Sequence, residues 1–453
     1  MTPFCPESAT VVEQSERGAA LRSALAVLRH APLTIGLERE AWRIEPAGCP
    51  ARSAHPFAPG ADVFPEGQIT VDFAENQAEL VTTPAPGAVE AVERLARLHA
   101  RLYREIPGEL LWPVSTPGCW GGDVAPARFG DAVAKEDARS YRRYLAAKYG
   151  TARQAISGVH FNVSLPEAFW AVLAEVTGAE PDRSALYFTA MRHLVRYRYV
   201  LTYLFGASPL VDSRWGESLA VHSAEPERSL LTHCGQYSSS LRSSPLGYQL
   251  PERTTQALAG VWSGLDAYAR GLRGAIADGL LAGEREFYAP VRPKTAAGGS
   301  LAALERHGVE YLEIRVLDLD PFAATGVAPE TLRFLEAFTV AALLLPARAL
   351  TADDLAEEAR LNTWATLCSC GAGTDHREIF AARTGALWAA VREAAALLGP
   401  EHERAVAHNA EVFAGRAPRI VDRFFWAASA AGATLREQGL RLARGHRKEF
   451  SHD

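Results

Sequence analysis

ITVDFAENQAELVTTP, residues 69–84, sets three carboxylates (Asp72, Glu75 and Glu79) among apolar neighbours, with no lysine or arginine between them. A solvated face would interleave bases with these acids. Carboxylates withdrawn from water and left unpaired are costly, so positive charge has to come from elsewhere. Two other stretches share this character, LTIGLEREAWRI (33–44) and VEYLEIRVLDLDPF (309–322). Both read as strands. In the first, Glu38 and Glu40 are two apart and point to one face. In the second, alternation puts Tyr311, Glu313, Arg315 and Leu317 on one face and Glu310, Leu312, Ile314 and Val316 on the other. The three stretches are expected to converge on a cage for divalent cations.

A fourth segment, ISGVHFNVSLP (156–166), alternates in the same way: Val159, Phe161 and Val163 face one side, His160, Asn162 and Ser164 the other. His160 suits either a satisfied structural histidine or a metal ligand. An isolated Glu313–Arg315 pair would form an ordinary salt bridge. Beside the other acids, the two suit a metal ligand and an anion clamp. Six carboxylates and one imidazole match the hard-oxygen preference of two or three Mg²⁺ ions bridging a nucleoside triphosphate. FYAPVRPK (287–294) places Arg292 and Lys294 two apart, which suits either phosphoryl or carboxylate binding or a solvated basic edge. There is no GxxxxGK[ST] loop, no GxGxxG after a strand and no GxSxG elbow, which argues against P-loop, dinucleotide-binding and α/β-hydrolase chemistry. Nothing near TPGCW (116–120) resembles the surroundings of a catalytic Cys119.

The 453 residues are 48% hydrophobic and 22% charged, as in soluble globular enzymes. A net charge of −6, without basic tail or acidic block, argues against nucleic acid or an anionic membrane as partner. The first twenty residues lack the basic and apolar regions of a signal peptide. The apolar run 186–205 is interrupted by Arg192, His193, Arg196 and Arg198, so it reads as a buried helix rather than a span. Cys5, Cys49, Cys119 and Cys234 lie far apart, and Cys368 and Cys370 in CSCG read as loop thiols rather than a zinc site with His376. That pattern implies a reducing cytoplasm.

In order, the chain reads as a polar leader with a short helix (20–30), a strand (33–44), a Pro/Gly-rich loop (46–67), the acidic stretch and an amphipathic helix (85–106). A strand (110–120), a helix ending at Gly150, the strand 156–166 and a helix (185–205) follow. A long loop (207–250), a helix (254–282) and the strand 309–317 come next. From 328 onward the chain is mainly helical (329–347, 379–398, 401–413, 418–446), forming a helical subregion (328–453) of one catalytic domain (1–453).

Eight motifs then occur in an order that resembles glutamate–cysteine ligases of the proteobacterial γ-glutamylcysteine synthetase type: GLERE (36–40), TVDFAENQAEL (70–80), LWPVSTP (111–117), ISGVHFNVSLP (156–166), YLFGASP (203–209), SLRSSPLGY (240–248), FYAPVRPK (287–294) and GVEYLEIRVLDLDPF (308–322). The resemblance spans roughly 33–335. It implies an α+β fold, a funnel-shaped antiparallel sheet flanked by helices as in the glutamine synthetase-like superfamily. It also implies ATP as co-substrate, Mg²⁺ or Mn²⁺, and a γ-glutamyl phosphate intermediate. By resemblance, Glu38, Glu40, Asp72, Glu79, His160 and Glu313 stand at metal positions and Asn162 and Lys294 on the nucleotide side. Tyr141, Tyr248 and Tyr288 stand near the amino-acid acceptor, and Arg242, Arg292 and Arg315 at basic positions for carboxylate or phosphate. Arg315 and Glu313 are the expected catalytic residues. Expected partners are glutamate, cysteine or another amine, and ATP, with the protein a monomer or small homo-oligomer. This chain departs from the family pattern at AVAKEDARSYRR (132–143), at CSCGAGTD (368–375), in a shortened loop before Ser240 and in a shorter helical end. These departures motivate a second reading, a ligase with a different acceptor amine; a third, a binding protein on a retired ligase fold, is opposed by the intact acidic set.

Overall fold

The computed structural model describes residues 11–57, 63–122, 124–127, 136–224, 228–229, 231, 237–247, 249–367 and 376–450. The acidic stretch is a hairpin: β3 (Gly67–Val71) turns through 72–76 into β4 (Gln77–Thr82). β1 (Thr34–Ile44) pairs antiparallel with β4 on one side and with β7 (Val159–Ser164) on the other. Adding β9 (Tyr311–Leu317), β8 (Val291–Lys294) and β2 (Val63–Phe64) gives the order β2-β3-β4-β1-β7-β9-β8. The short β5 (Ala85–Pro86) and β6 (Leu110–Leu111) also pair with β1, so nine described strands form one antiparallel α+β sheet.

The alternation read from the sequence sorts the two faces. Leu37, Leu80, Phe161, Leu312 and Ile314 are fully buried in the main core. Helix Gly87–Glu105 packs on β1 and β4, helix Arg183–Arg196 on β8 and helix Arg198–Phe205 on β9. The acids occupy the other face.

One expectation fails at the end of β9. Phe161 pairs with Ile314, yet Val159 pairs with Leu317, so two residues of β9 stand opposite one of β7. Beyond this bulge the faces exchange. Leu317 shares the core face with Val159, and Val316 lines a cavity on the cleft side with Arg315.

Other boundaries also moved. The strand expected over 110–120 is only Leu110–Leu111, because Pro113 and Pro117 supply no ladder N–H. The helix expected over 185–205 breaks at Tyr197. Helix Ser213–Val221 lies inside the supposed long loop, capped by Asp212, whose carboxylate accepts from the Arg214 and Trp215 amides. The 254–282 helix divides into Glu252–Ala257, a 3₁₀ turn and Leu265–Ala277. Helix Ala352–Leu367 was not expected at all. The single C-terminal helix is two, Ile420–Ala430 and Leu435–Glu449. Between them Gly432 adopts φ +58°, and Thr434 and Glu437 form a capping box.

Among the described residues no helix is long and apolar enough to cross a membrane. Arg192, His193, Arg196 and Arg198, which interrupt this apolar run, are buried inside the protein. Arg198 meets Glu358 in a buried bidentate pair, Nε–Oε1 2.7 Å and Nη2–Oε2 2.8 Å. Removing one partner strands the other charge, so Glu358→Ala should lose about 3–5 kcal/mol in urea unfolding. The apolar double replacement Arg198→Met/Glu358→Leu should recover most of that loss.

Candidate metal and substrate site

β1 lies at the middle of the sheet and offers two acids to the cleft. Glu38 stands opposite His160 of β7, and Glu40 opposite Glu79 of β4. Along the sheet, Asn162 pairs with Glu313 and Glu313 with Arg292. Antiparallel register therefore brings Glu38, Glu40, Glu79, His160, Asn162, Glu313 and Arg292 to one face. Asp72 joins them from the turn after β3.

The acids divide into two groups. In the first, Glu38, His160 and Glu313 each bring a ligand-type atom within 4.8 Å of the other two. His160 Nδ1 is 2.8 Å from Glu38 Oε2, and Asn162 Nδ2 donates to Glu38 Oε1 at 2.9 Å. Burial and then Arg315 push the imidazole down to about 4, so the ring is neutral. A neutral ring beside a carboxylate keeps its proton on Nδ1, which leaves the Nε2 lone pair free to bind. Burial opposes charge on Glu38, yet the hydrogen bonds from His160 and Asn162 hold its carboxyl below the usual range. Burial also opposes charge on Glu313. Arg315 at 3.1 Å and Lys294 at 3.3 Å outweigh it and hold that carboxyl well below the usual range.

The second group is Glu40, Glu79 and Asp72. Like charges directly opposite on neighbouring strands repel. Burial, then Asp72, pushes the Glu40 carboxyl up to about 8. Burial, then Asp72, Glu38 and Glu40, lifts Glu79 well above the carboxylate range, and burial raises Asp72. Asp72 and Glu79 keep some surface open to the cleft, but they lie deep enough for desolvation to dominate.

Glu40 Oε2, Asp72 Oδ2, Glu313 Oε2, Asn162 Oδ1 and His160 Nε2 are all buried without a hydrogen-bond partner. Buried acceptors are normally paired. Four oxygens and one imidazole nitrogen, backed by further carboxylates, are a donor set that fits Mg²⁺ or Mn²⁺. Glu75 stands apart from this set. It accepts from the His55 amide at 2.9 Å and faces Arg43, so the expectation that all three acids of the opening stretch share the cage is corrected.

The cationic partners lie at the edge of the cage. Arg315 Nη1 is 3.5 Å from His160 Nδ1. The Arg242 guanidinium donates to the Arg315 carbonyl and lies flat on Gly158, where a Cβ would sit 2.2 Å from its Nε. A small cavity joins Arg198, Arg242, Gln249, Tyr288, Arg315 and Val316. Arg292 is turned inward, bonding the Phe287 carbonyl through Nε at 2.8 Å and the Arg285 carbonyl at 2.9 Å. Tyr141 bonds Tyr288, and with Phe73, Leu145 and Tyr149 they form an aromatic wall. Tyr248 lies outside the described residues, as do Cys368 and Cys370.

Three contributors escaped the sequence reading. Arg142 donates from Nε to the Asp72 carbonyl at 2.8 Å, and its charge favours ionised Asp72 and Glu79. Buried Glu286 collects Tyr149 at 2.5 Å, Tyr144 at 3.1 Å and Lys148, fastening helix Glu136–Tyr149 beside Tyr288. Asp318 accepts from the Ala207 amide and the Ser208 hydroxyl, both at 2.7 Å, and Ser208 in turn receives the Arg242 amide. Only the acid-rich wording of DLDPF hinted at any of these.

Residues 22–280 and 276–364 match the model of the glutamate–cysteine ligase family. A glutamate–cysteine ligase of Shewanella halifaxensis is 35% identical over 353 residues, covering 71% of this chain and 67% of the relative. The crystal structure of glutamate–cysteine ligase from Francisella tularensis in complex with AMP superposes with a TM-score of 0.79 at 25% identity, over 93% of this chain and 89% of that one. A bifunctional glutathione synthetase from Pasteurella multocida shares the fold with a TM-score of 0.75 at 22% identity, over 97% of this chain and 54% of that one.

Proposed function

The chain belongs to the glutamate–cysteine ligase family, and from that premise we propose that it joins the γ-carboxylate of glutamate to the amine of L-cysteine at the expense of ATP, with Mg²⁺ in the acidic cage. A carboxylate is a poor electrophile. Attack of its oxygen on the γ-phosphorus of ATP gives γ-glutamyl phosphate and ADP; the amine then attacks the acyl carbon, phosphate leaves and an amide remains. Glu38 and Glu313 on one side, and Glu40, Asp72 and Glu79 on the other with His160 Nε2 3.5 Å from Glu40 Oε1, would hold Mg²⁺, which would neutralise charge on the transferring phosphoryl group.

The protein's own groups divide the remaining work. Glu38 fixes the His160 tautomer, and Asn162 fixes Glu38. Arg315, held between Glu313 and His160, stabilises negative charge arising between the cage and the arginine cavity. Lys294 serves the phosphate side, and Arg242 a substrate carboxylate. Arg292 acts by bracing the 285–287 backbone beneath Tyr288. Tyr141 and Tyr288 form the acceptor's wall. The observation that carries this reading is the set of buried, unpartnered acceptors gathered on one face of the sheet, with Arg315 and Lys294 beside them.

Its test is ADP release from ATP, Mg²⁺ and glutamate with a panel of amines. Cysteine should outcompete all others. A different winner would identify another acceptor, to which the unusual 132–143 segment leading into Tyr141 would answer. No turnover with any amine would overturn the ligase reading.

The cage also predicts a proton count. With its carboxyl near 8, Glu40 is mostly protonated at neutral pH in the metal-free protein. Glu79, also raised well above the carboxylate range, is protonated there too. Mg²⁺ needs both carboxylates, so titrating metal near neutral pH in weak buffer should release about two protons per chain, and fewer above about pH 9, where Glu40 is already ionised. A raised folded-state value means stability that is complete below the ordinary carboxyl value of 4.5 and lost as pH climbs through about 8. The metal-free protein should therefore melt lower in mild alkali than near pH 6, and Mg²⁺ should raise Tm more in alkali.

A further inference from the structure

Cys49 and Cys119 are 70 positions apart in sequence, yet their sulfurs lie 2.9 Å from each other. Cys49 closes the turn after β1, where its carbonyl accepts from the Glu45 amide at 2.8 Å and Gly48 N–H bonds the Glu45 carbonyl at 2.7 Å. Cys119 sits in the bend after β6, which Trp120 anchors by donating to Asp212 at 2.9 Å and to Ser218 at 2.8 Å. Cys49 is partly exposed and Cys119 is buried. Arg436 of helix Leu435–Glu449 donates to the Ala47 carbonyl at 3.1 Å and brings its guanidinium to 3.9 Å from Cys49 Sγ.

We propose that this pair is a thiol–disulfide exchange site for low-molecular-weight disulfides, with Cys49 the attacking thiol and Cys119 the resolving one. Cys49 Sγ attacks one sulfur of the disulfide. A protein–small-molecule S–S bond forms, the original S–S bond breaks, and the departing thiolate takes the Cys49 proton. Cys119 Sγ, already in contact, then attacks Cys49 Sγ. The second small thiol leaves with the Cys119 proton, and a Cys49–Cys119 disulfide remains. Two protein thiols are oxidised and one disulfide is reduced to two thiols, so no other oxidant is required.

The division of roles follows from access and charge. Cys49 is the partly exposed thiol, so it is the one a small disulfide can reach. Burial and the Cys49 hydrogen bond push the Cys119 thiol up to about 11, so it is a poor entry point but one held against its target. Moving from 2.9 Å to the roughly 2.0 Å of an S–S bond asks little of the backbone. A protein that handles a thiol amino acid meets that amino acid's disulfide too, and the pair would clear a mixed disulfide instead of retaining it. That last clause rests on the ligase reading; the chemistry at the pair does not.

The test uses the full chain and cystine, followed by alkylation and peptide mapping, which needs no turnover. In the native protein most chains should carry a Cys49–Cys119 linked peptide and no cysteinyl group on Cys49. Cys119→Ser should hold one cysteinyl group on Cys49, and Cys49→Ser should keep Cys119 as a free thiol. A native protein that retains the cysteinyl group on Cys49, or leaves both thiols free while the guanidine-unfolded chain reacts, would overturn the proposal.

Discussion

Glu313→Gln should lower kcat by roughly three orders of magnitude without changing the far-ultraviolet circular dichroism. The carboxylate lies 3.1 Å from Arg315 and 3.3 Å from Lys294 and is ionised because of them. An amide has the same shape and no charge. It would leave the arginine and lysine facing each other across a neutral group, and it would remove the ligand that His160 approaches to 3.9 Å. Both the cation's hold and the placement of Arg315 should be lost together. The loss should appear in kcat with ATP, metal and both amino acids saturating, and near-normal turnover would refute the assignment.

Glu79→Gln should behave differently, because its position is already uncomfortable. Glu79 faces Glu40 across the strands and lies near Asp72, which together with burial keeps it protonated far above the ordinary range. Glutamine imitates that protonated form permanently. Turnover should fall by about a hundredfold or more. The metal-free variant should still soften in mild alkali as Glu40 ionises, but should be spared the added loss that ionising Glu79 causes in the parent protein, and Mg²⁺ should stabilise it less. Activity lost with stability retained is the signature of a group held for its ligand rather than for the fold. A variant that unfolds earlier than the parent at every pH would count against this role.

Glu79 was legible in the chain because it is an acid among apolar neighbours with no base beside it, and Glu313 because a two-residue alternation fixes which side chains share a face, whatever the neighbouring strand. Glu38, Glu40, His160, Asn162 and Glu313 could be sorted that way. Pairing partners could not. That Glu40 meets Glu79 depends on a register set by the turn at 72–76, and Glu75, three residues from Asp72, turns to His55 and Arg43. Long-range anchors were invisible for a similar reason. Nothing local in Arg142, Glu286 or Cys119 says which distant backbone carbonyl, tyrosine or sulfur it will meet. Helix Ser213–Val221 was hidden by brevity, since its two buried anchors, Trp215 and Leu219, make less than two turns of periodicity.

The bulge at the end of β9 has a consequence for how this strand tolerates change. The side-chain count along β9 shifts parity once, between Ile314 and Leu317, and Arg315 is the last polar residue before the shift. Deleting Arg315 would straighten the ribbon and leave the Val316 hydrocarbon where the guanidinium stood at the lip of the cleft, although every remaining amino acid would be unaltered. A point substitution at Val316 leaves that parity alone. The strand is therefore far more sensitive to its length than to its letters, and chains that differ by one residue in this corner should differ in chemistry before they differ in fold.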